Sequence, residues 1–349
     1  MKAEFIAVVN KLEEGRSLDK KEYRLLIESA CEETFDFIRE KAIKVRGKIY
    51  GRGVYIRGLI EISNICKNNC LYCGIRKDNG LCQRYRLSDE EILLCCKEGY
   101  DLGFRTFVLQ GGEDPFFTDD RLCGIIGQIK SRFSNCAVTL SLGERSTESY
   151  ERLFKAGADR YLLRHETADK SHYERLHPSD MSFENRIKCL YELKSIGYQV
   201  GCGFMVGSPY QNSDTLAADL KFIETFEPDM CGIGPFIPHR DTPFGEMPAG
   251  SVFLTCYLLS IIRLIKPNIL LPATTALSTL DKNGREKGIL SGANVVMPNL
   301  SPESVRGKYE LYNGKAHSGA ESAQLVKELC RSMEKIGHSV LTERGDIKK

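Results

Sequence analysis

From about residue 53 the chain alternates short apolar runs with longer amphipathic ones. The apolar runs fall at 54–62, 105–110, 137–142, 160–164, 199–205, 230–234, 269–273 and 294–297. Helical periodicity fills most of the gaps, at 88–102, 147–157, 182–196, 213–226 and 251–265. Before all of these, residues 1 to about 45 read as charged amphipathic helix. Strands that alternate with helices of this length make βα units and a parallel sheet. Eight such units predict an α/β fold of the (β/α)8 TIM type, with an N-terminal helical extension and a C-terminal helix. The expected divisions are a helical extension at 1–46, the barrel at 47–318, and a C-terminal helix and tail at 319–349. A doubly wound open sheet is the competing architecture, but its Gly-x-Gly-x-x-Gly turn is missing.

Alternation within the strands separates two faces. Val54, Ile56, Gly58 and Ile60 are apolar or small and should face the helices, which turns Arg57 and Glu61 inward. Val138, Leu140 and Leu142 likewise leave Thr139 and Ser141 inside. Tyr161 and Leu163 face out, so Arg160, Leu162, Arg164 and, just beyond the strand, Glu166 share the inner face. A filled barrel packs branched aliphatics there, and buried charges need partners. The expectation is a polar, partly anion-seeking cavity running down the barrel. The alternative is a set of structural ion pairs between strands.

Composition narrows the function classes. Lys plus Arg is 49 and Asp plus Glu is 47 in 349 residues, which leaves no basic footprint for nucleic acid or an anionic membrane. No run approaches the roughly 18 apolar residues of a membrane helix. Met1-Lys2-Ala3-Glu4-Phe5 lacks a secretory apolar core. The 14 cysteines are mostly scattered singly, as small buried hydrophobes are. That content is far below a disulfide scaffold, and a reduced, cytoplasmic, anaerobic setting is expected.

Three cysteines depart from that scatter. Cys66, Cys70 and Cys73 follow Cys-x3-Cys-x2-Cys, with Tyr72 just before the last. Three thiolates can hold three irons of a 4Fe–4S cubane and leave the fourth open to another ligand. A structural zinc site is the alternative, but it wants a fourth ligand, and no second Cys-x2-Cys or His-x3-His occurs. The spacing resembles the signature of the radical S-adenosylmethionine (SAM) enzymes, whose reduced cluster cleaves SAM to a 5′-deoxyadenosyl radical. That resemblance implies SAM-binding groups nearby. Gln110-Gly111-Gly112-Glu113 ends the second strand and is similar to the motif that meets the SAM amino group; a plain βα turn is the other reading. Glycines there allow close approach, and Glu113 can accept from an ammonium. Glu166, at the mouth of the fourth strand, and Arg186, near a helix start, are SAM contacts by the same resemblance, although Arg186 on composition alone suits a surface charge. Thr139, Ser141 and Met205, the last in the glycine-rich run Gly201–Gly207, complete the expected cofactor contacts.

Longer blocks make the resemblance narrower. Val108-Leu109-Gln110-Gly111-Gly112-Glu113-Asp114-Pro115, Arg160-Tyr161-Leu162-Leu163-Arg164-His165-Glu166-Thr167 and Pro272-Ala273-Thr274-Thr275-Ala276 resemble FeFe-hydrogenase maturases of the HydE type. Biotin synthase and methylornithine synthase share the barrel. The resemblance implies work on the hydrogenase two-iron subcluster, with a small iron-bound, cysteine-like substrate delivered by a partner maturase. It implies a ferredoxin or flavodoxin as reductant. The substrate contacts it suggests are Arg57, Gln110, Arg160 and Arg164, then Thr274, Thr275, Met297 and Tyr309, with Tyr312 beside them. Many relatives carry three more cysteines near the C-terminus for an auxiliary cluster. The run 311–320 has none, so one cluster is expected. Two other functions compete: a radical SAM reaction on an amino acid such as lysine, and a non-catalytic iron–sulfur scaffold.

Overall fold

The computed structural model describes residues 1–315 and 323–348. Three helices lead, α1 (Ala3–Glu13), α2 (Lys20–Glu28) and α3 (Glu32–Tyr50). Strands β1 (Gly53–Ile56), β2 (Gly58–Ser63), β3 (Thr106–Gly111), β4 (Ala137–Ser141), β5 (Arg160–Leu162) and β6 (Gln199–Cys202) follow. After them come β7 (Met205–Val206), β8 (Met230–Cys231), β9 (Gly234–Pro235), β10 (Val295–Val296) and β11 (Ser339–Leu341). Helices α4 (Asp89–Asp101), α5 (Asp119–Arg132), α6 (Thr147–Lys155), α7 (Lys170–Leu176), α8 (Phe183–Ile196) and α9 (Ser213–Phe226) alternate with them. The remaining helices are α10 (Val252–Ile265), α11 (Thr275–Leu280), α12 (Gly284–Ile289), α13 (Glu303–Arg306) and α14 (Val326–Lys335). The boundary expected at 318/319 lies outside the described residues.

β2-β3-β4-β5-β6-β8 form one parallel ladder. The ring closes through single parallel bridges, Met230 to Leu270, Pro272 to Val295 and Leu59 to Asn299, together with the β1–β10 pair. The seventh run, 269–273, thus takes its barrel place without a full ladder; Pro272 has no N–H to give one. The first run, read as one strand, is two. Its neighbour changes at Arg57, from β11 beside β1 to β3 beside β2. β11 itself is three residues long, too short for the hydrophobic pattern to show. The crossover helices start on side chains that accept an amide of the first turn: Ser88, Thr118, Ser146, Ser182, Asn212 and Ser251.

The faces follow the alternation. Val54, Ile56, Ile60 and Ile62, with Val138, Leu140, Leu142, Tyr161 and Leu163, join the large core between strands and helices. α1–α3 contribute Phe5, Val9, Leu26 and Ile38 to that same core. A smaller cluster built on Tyr55, Met230, Leu270 and Val295 lies apart from it, with Met297 packed against it.

Arg57, just before β2, and Arg160, the first residue of β5, point inward on the barrel floor. There they meet the C-terminal tail. Arg160 pairs with Asp346 and donates to the Arg344 carbonyl (2.9 Å) and to Thr106 Oγ1 (3.0 Å). Arg57 donates to the Gly345 carbonyl at 3.3 Å. Gln199 and Arg344 also donate to Asp346, at 3.1 and 2.9 Å. The structural ion-pair alternative holds for Arg160, whereas Arg57 is bound by the tail backbone and Met230, and both are corrected from cavity lining to barrel floor.

A pH dependence follows. Burial alone would raise the Asp346 carboxyl, but Arg344 and Arg160 outweigh it and hold the group down to about 2. A depressed carboxyl stabilises the fold above its unfolded value, about 3.9, and the contribution is lost as pH falls toward 2. Asp346→Asn therefore lowers the unfolding midpoint at pH 7, and the gap to the parent protein closes as pH falls from about 4 to about 2. Because Asp346 is 38% exposed, the loss stays below the ~3–5 kcal/mol of a fully buried pair. A gap that is constant with pH contradicts the assignment.

Candidate active site at the barrel mouth

The loop from Asn64 to Tyr85 has almost no regular structure, so side chains must satisfy its backbone. Arg84 donates to four of its carbonyls: Asn64 (2.6 Å), Ile75 (2.8 Å), Arg76 (2.6 Å) and Asn79 (3.2 Å). Asn64 donates to the Gln83 and Lys308 carbonyls and accepts from the Tyr85 amide. Neither residue stood out in the sequence, because a structural staple carries no motif.

This loop turns Cys66, Cys70 and Cys73 into a cavity of about 320 Å³ at the C-terminal ends of the strands. Burial raises all three thiols: Cys66 moderately, Cys70 well above its ordinary value, and Cys73 up to about 12. Thiolates here need a strongly cationic centre beside them, which iron supplies. The Glu113 amide lies 3.4 Å from the Cys66 sulfur as a donor, a contact that suits a cluster ligand. Among the described residues no three His, Cys, Asp or Glu side chains are placed to hold one metal ion. The donor set, three thiols on one loop around an open volume, fits a cluster.

Across from the loop stand the strand ends. Gln110, Gly111, Gly112, Glu113, Ser141, Arg164, Glu166, Arg186 and Met205 all line the same cavity, as do Tyr72, Thr274, Thr275, Tyr309 and Tyr312. Thr139 does not; it is buried one layer deeper, with its hydroxyl unpartnered. Met297 packs instead against the smaller cluster of Met230, Leu270 and Val295. Phe236, Ile237, Leu311 and Gly143 line the cavity and were not expected.

Glu113 is fixed by the Glu144 amide (2.9 Å) and Lys67 Nζ (3.2 Å). Arg186 is only 7% exposed, against the surface reading, and its Nε lies 2.7 Å from Glu144 Oε1. Arg164 Nη2 and Glu166 Oε2 face each other at 3.4 Å, yet neither has an aligned hydrogen bond. Glu166 carries φ 66°, a strained backbone for a residue with a Cβ. Tyr72 hydrogen-bonds His177 (3.1 Å), whose ring stacks on Tyr173. Burial pushes His177 down to about 3, so it is a neutral prop for Tyr72.

Gly112 shows why the motif needs glycine. A Cβ there would fall 2.3 Å from the Ile65 carbonyl oxygen and 2.7 Å from Cys66 Cβ. Gly112→Ala therefore displaces the cysteine loop and lowers bound iron several-fold after reconstitution. Iron and sulfide analysis checks this, and parental iron content would contradict it.

A parallel barrel whose mouth gathers Cys-x3-Cys-x2-Cys and Gly-Gly-Glu defines a radical SAM enzyme. The radical SAM superfamily model matches residues 60–223. The HydE subunit of the FeFe-hydrogenase maturase of Thermotoga maritima is 44% identical over 308 residues, 88% of each chain. The 3-methylornithine synthase of Methanosarcina acetivorans is 30% identical, covering 84% of this chain and 83% of that one. Among solved structures, methylornithine synthase superposes with a TM-score of 0.83 at 26% identity, covering 96% and 97% of the two chains. The maturase HydG shares the fold with a TM-score of 0.82 at 22% identity, over 97% of this chain and 76% of that chain. The chain belongs to the HydE-type FeFe-hydrogenase maturases of the radical SAM superfamily. It is accordingly an enzyme of hydrogenase maturation that works with SAM and a 4Fe–4S cluster. No helix among the described residues is long and apolar enough to cross a membrane.

Proposed function

We propose that Cys66, Cys70 and Cys73 bind three irons of one 4Fe–4S cluster, and that SAM chelates the fourth. The reading rests on one observation: three half-buried cysteines share a cavity with a fixed carboxylate, Glu113, and a buried guanidinium, Arg186. When bound, the reduced cluster supplies one electron to SAM, whose C5′–S bond breaks to give the 5′-deoxyadenosyl radical. Glu113 accepts from the SAM ammonium, and Gly111 and Gly112 let it approach. Arg186, Glu166, Ser141 and Met205 complete the SAM contacts, and Tyr72 packs over the cluster side. The apolar wall of Phe236, Ile237 and Leu311 keeps water from the reacting carbon.

The substrate is a small, anionic, sulfur-containing iron complex of the cysteine type. Arg164 is its charge partner, since its guanidinium faces the cavity with hydrogen-bonding capacity to spare. Gln110, Thr274, Thr275 and Tyr309 supply polar contacts, with Tyr312 beside them. A small acidic electron carrier of the ferredoxin or flavodoxin kind reduces the cluster, and a partner maturase supplies the substrate. A second reading, an amino-acid mutase, draws on the likeness to methylornithine synthase. Anaerobic incubation with SAM, reductant and lysine separates them. We expect no methylornithine, and its formation would overturn the maturase substrate.

A further inference from the structure

Glu166 is held in a left-handed backbone that a residue with a Cβ avoids, so its neighbours must hold it there. We propose that Asp219 is the positioning residue of the SAM site. Through His165 and the Ala168 amide it clamps residues 165–168, and so aims the Glu166 carboxylate into the cavity. The proposal rests on the reading of Glu166 as a SAM contact.

Asp219 lies in α9 and is fully buried. Its Oδ1 accepts from the Ala168 amide at 2.6 Å and lies 3.3 Å from His165 Nε2. The Gly203 amide, which can only donate, is 3.2 Å from His165 Nδ1. Nδ1 is therefore the acceptor, and the ring proton sits on Nε2, donated to Asp219. The Glu166 amide in turn donates to the Gly203 carbonyl at 3.0 Å. Gly203 thus grips residues 165 and 166, and Asp219 grips 165 and 168.

The His165 ring is walled by Phe204 and Phe222, with centroids 5.8 and 4.7 Å away, so its tilt is fixed. A Cβ on Gly203 would fall 2.1 Å from the Gly232 carbonyl oxygen, so on this side of the clamp backbone packs directly against backbone. Asp219 Oδ2 has no hydrogen-bond partner. A buried carboxylate oxygen left bare lowers stability. Packing therefore does not explain an aspartate at this position, whereas two donors converging on its other oxygen do.

The test is a double-mutant cycle on the cluster-reconstituted chain, read by thermal unfolding and by SAM binding. Glycine adopts φ 66° without strain. Asp219→Ala should lower the unfolding midpoint by several degrees in the parent chain and by much less in Glu166→Gly. It should also weaken SAM binding by about tenfold, while Asp219→Asn, which keeps the accepting oxygen, restores most of the affinity. His165→Phe fills the same aromatic box without donating to Asp219. It serves as the second variant, with the same coupling expected, if Asp219→Ala does not fold. Equal midpoint losses in both backgrounds would make Asp219 an ordinary core residue and overturn the clamp. Coupled midpoints with unchanged SAM affinity in Asp219→Ala would overturn its positioning role. Unchanged SAM affinity in Glu166→Gly would overturn the underlying reading of Glu166, and the positioning claim with it.

Discussion

Replacing Cys66, Cys70 or Cys73 by alanine reduces SAM cleavage to background. Each variant loses one of the three thiols proposed to hold the cluster, and the rest of the cavity lining offers no further cysteine to replace it. Burial raises all three thiols, so each would need the charge of bound iron beside it to ligate as a thiolate. Cys123→Ala is the control. Its thiol donates to the Arg152 carbonyl at 3.6 Å on the outer helix layer, so cleavage stays at the parent level. Quantifying 5′-deoxyadenosine under anaerobic reduction, alongside iron per chain, checks both halves. Equal loss in Cys123→Ala would show that the cluster lies elsewhere.

Lys315→Met should lower unfolding stability by about 3–5 kcal/mol, the range for a buried charge stripped of its partner. Glu61 is fully buried, and the Lys315 side chain that pairs with it is 9% exposed. Asn299 holds the other carboxylate oxygen at 2.9 Å. Lys315 also donates to the Tyr309 carbonyl (3.0 Å) and sits 4.7 Å from the Tyr309 ring centroid. The segment it pins, 308–315, crosses the barrel mouth. It bonds Gly74 through the Leu311 carbonyl (2.8 Å) and Pro238 through the Asn313 amide (3.0 Å). It carries Tyr309, Leu311 and Tyr312 into the cavity, so substrate turnover falls with stability. The double variant Glu61→Gln/Lys315→Met removes both charges and regains most of the stability, because no bare carboxylate remains. Urea unfolding measures both, and a double variant no better than the single one would contradict the pair.

How far the sequence could be read depended on the kind of information each residue carried. Alternation gives the face of a strand, and it put Val138, Leu140 and Tyr161 outside and Ser141 and Arg164 inside. It does not by itself give height in the barrel. Arg57 and Arg160 face inward as expected, but Arg57 precedes β2 and Arg160 begins β5, so both belong to the floor; Gln110 and Ser141 lie near or at the ends of β3 and β4, Arg164 lies just beyond β5, and all three reach the mouth. Position along the strand was the available signal. The partner of Arg160 was not legible, since Asp346 lies 186 residues away and no local pattern links them. The cysteine loop was legible because a cluster fixes its ligand spacing. Its staples, Arg84 and Asn64, were not, because any long donor in the right place would serve. Arg186 inverted the surface prior: a helix-start arginine is buried here because Glu144 waits beneath it.

A barrel that performs the HydE-type step of hydrogenase maturation with one cluster at Cys66, Cys70 and Cys73 should stand in for a HydE-type maturase. The most direct measurement is an anaerobic maturation assay in which this protein replaces the HydE-type component, with SAM present and hydrogen evolution as readout. Active hydrogenase is expected with the parent chain and none with Cys66→Ala. An inactive hydrogenase from a chain that still cleaves SAM would contradict it.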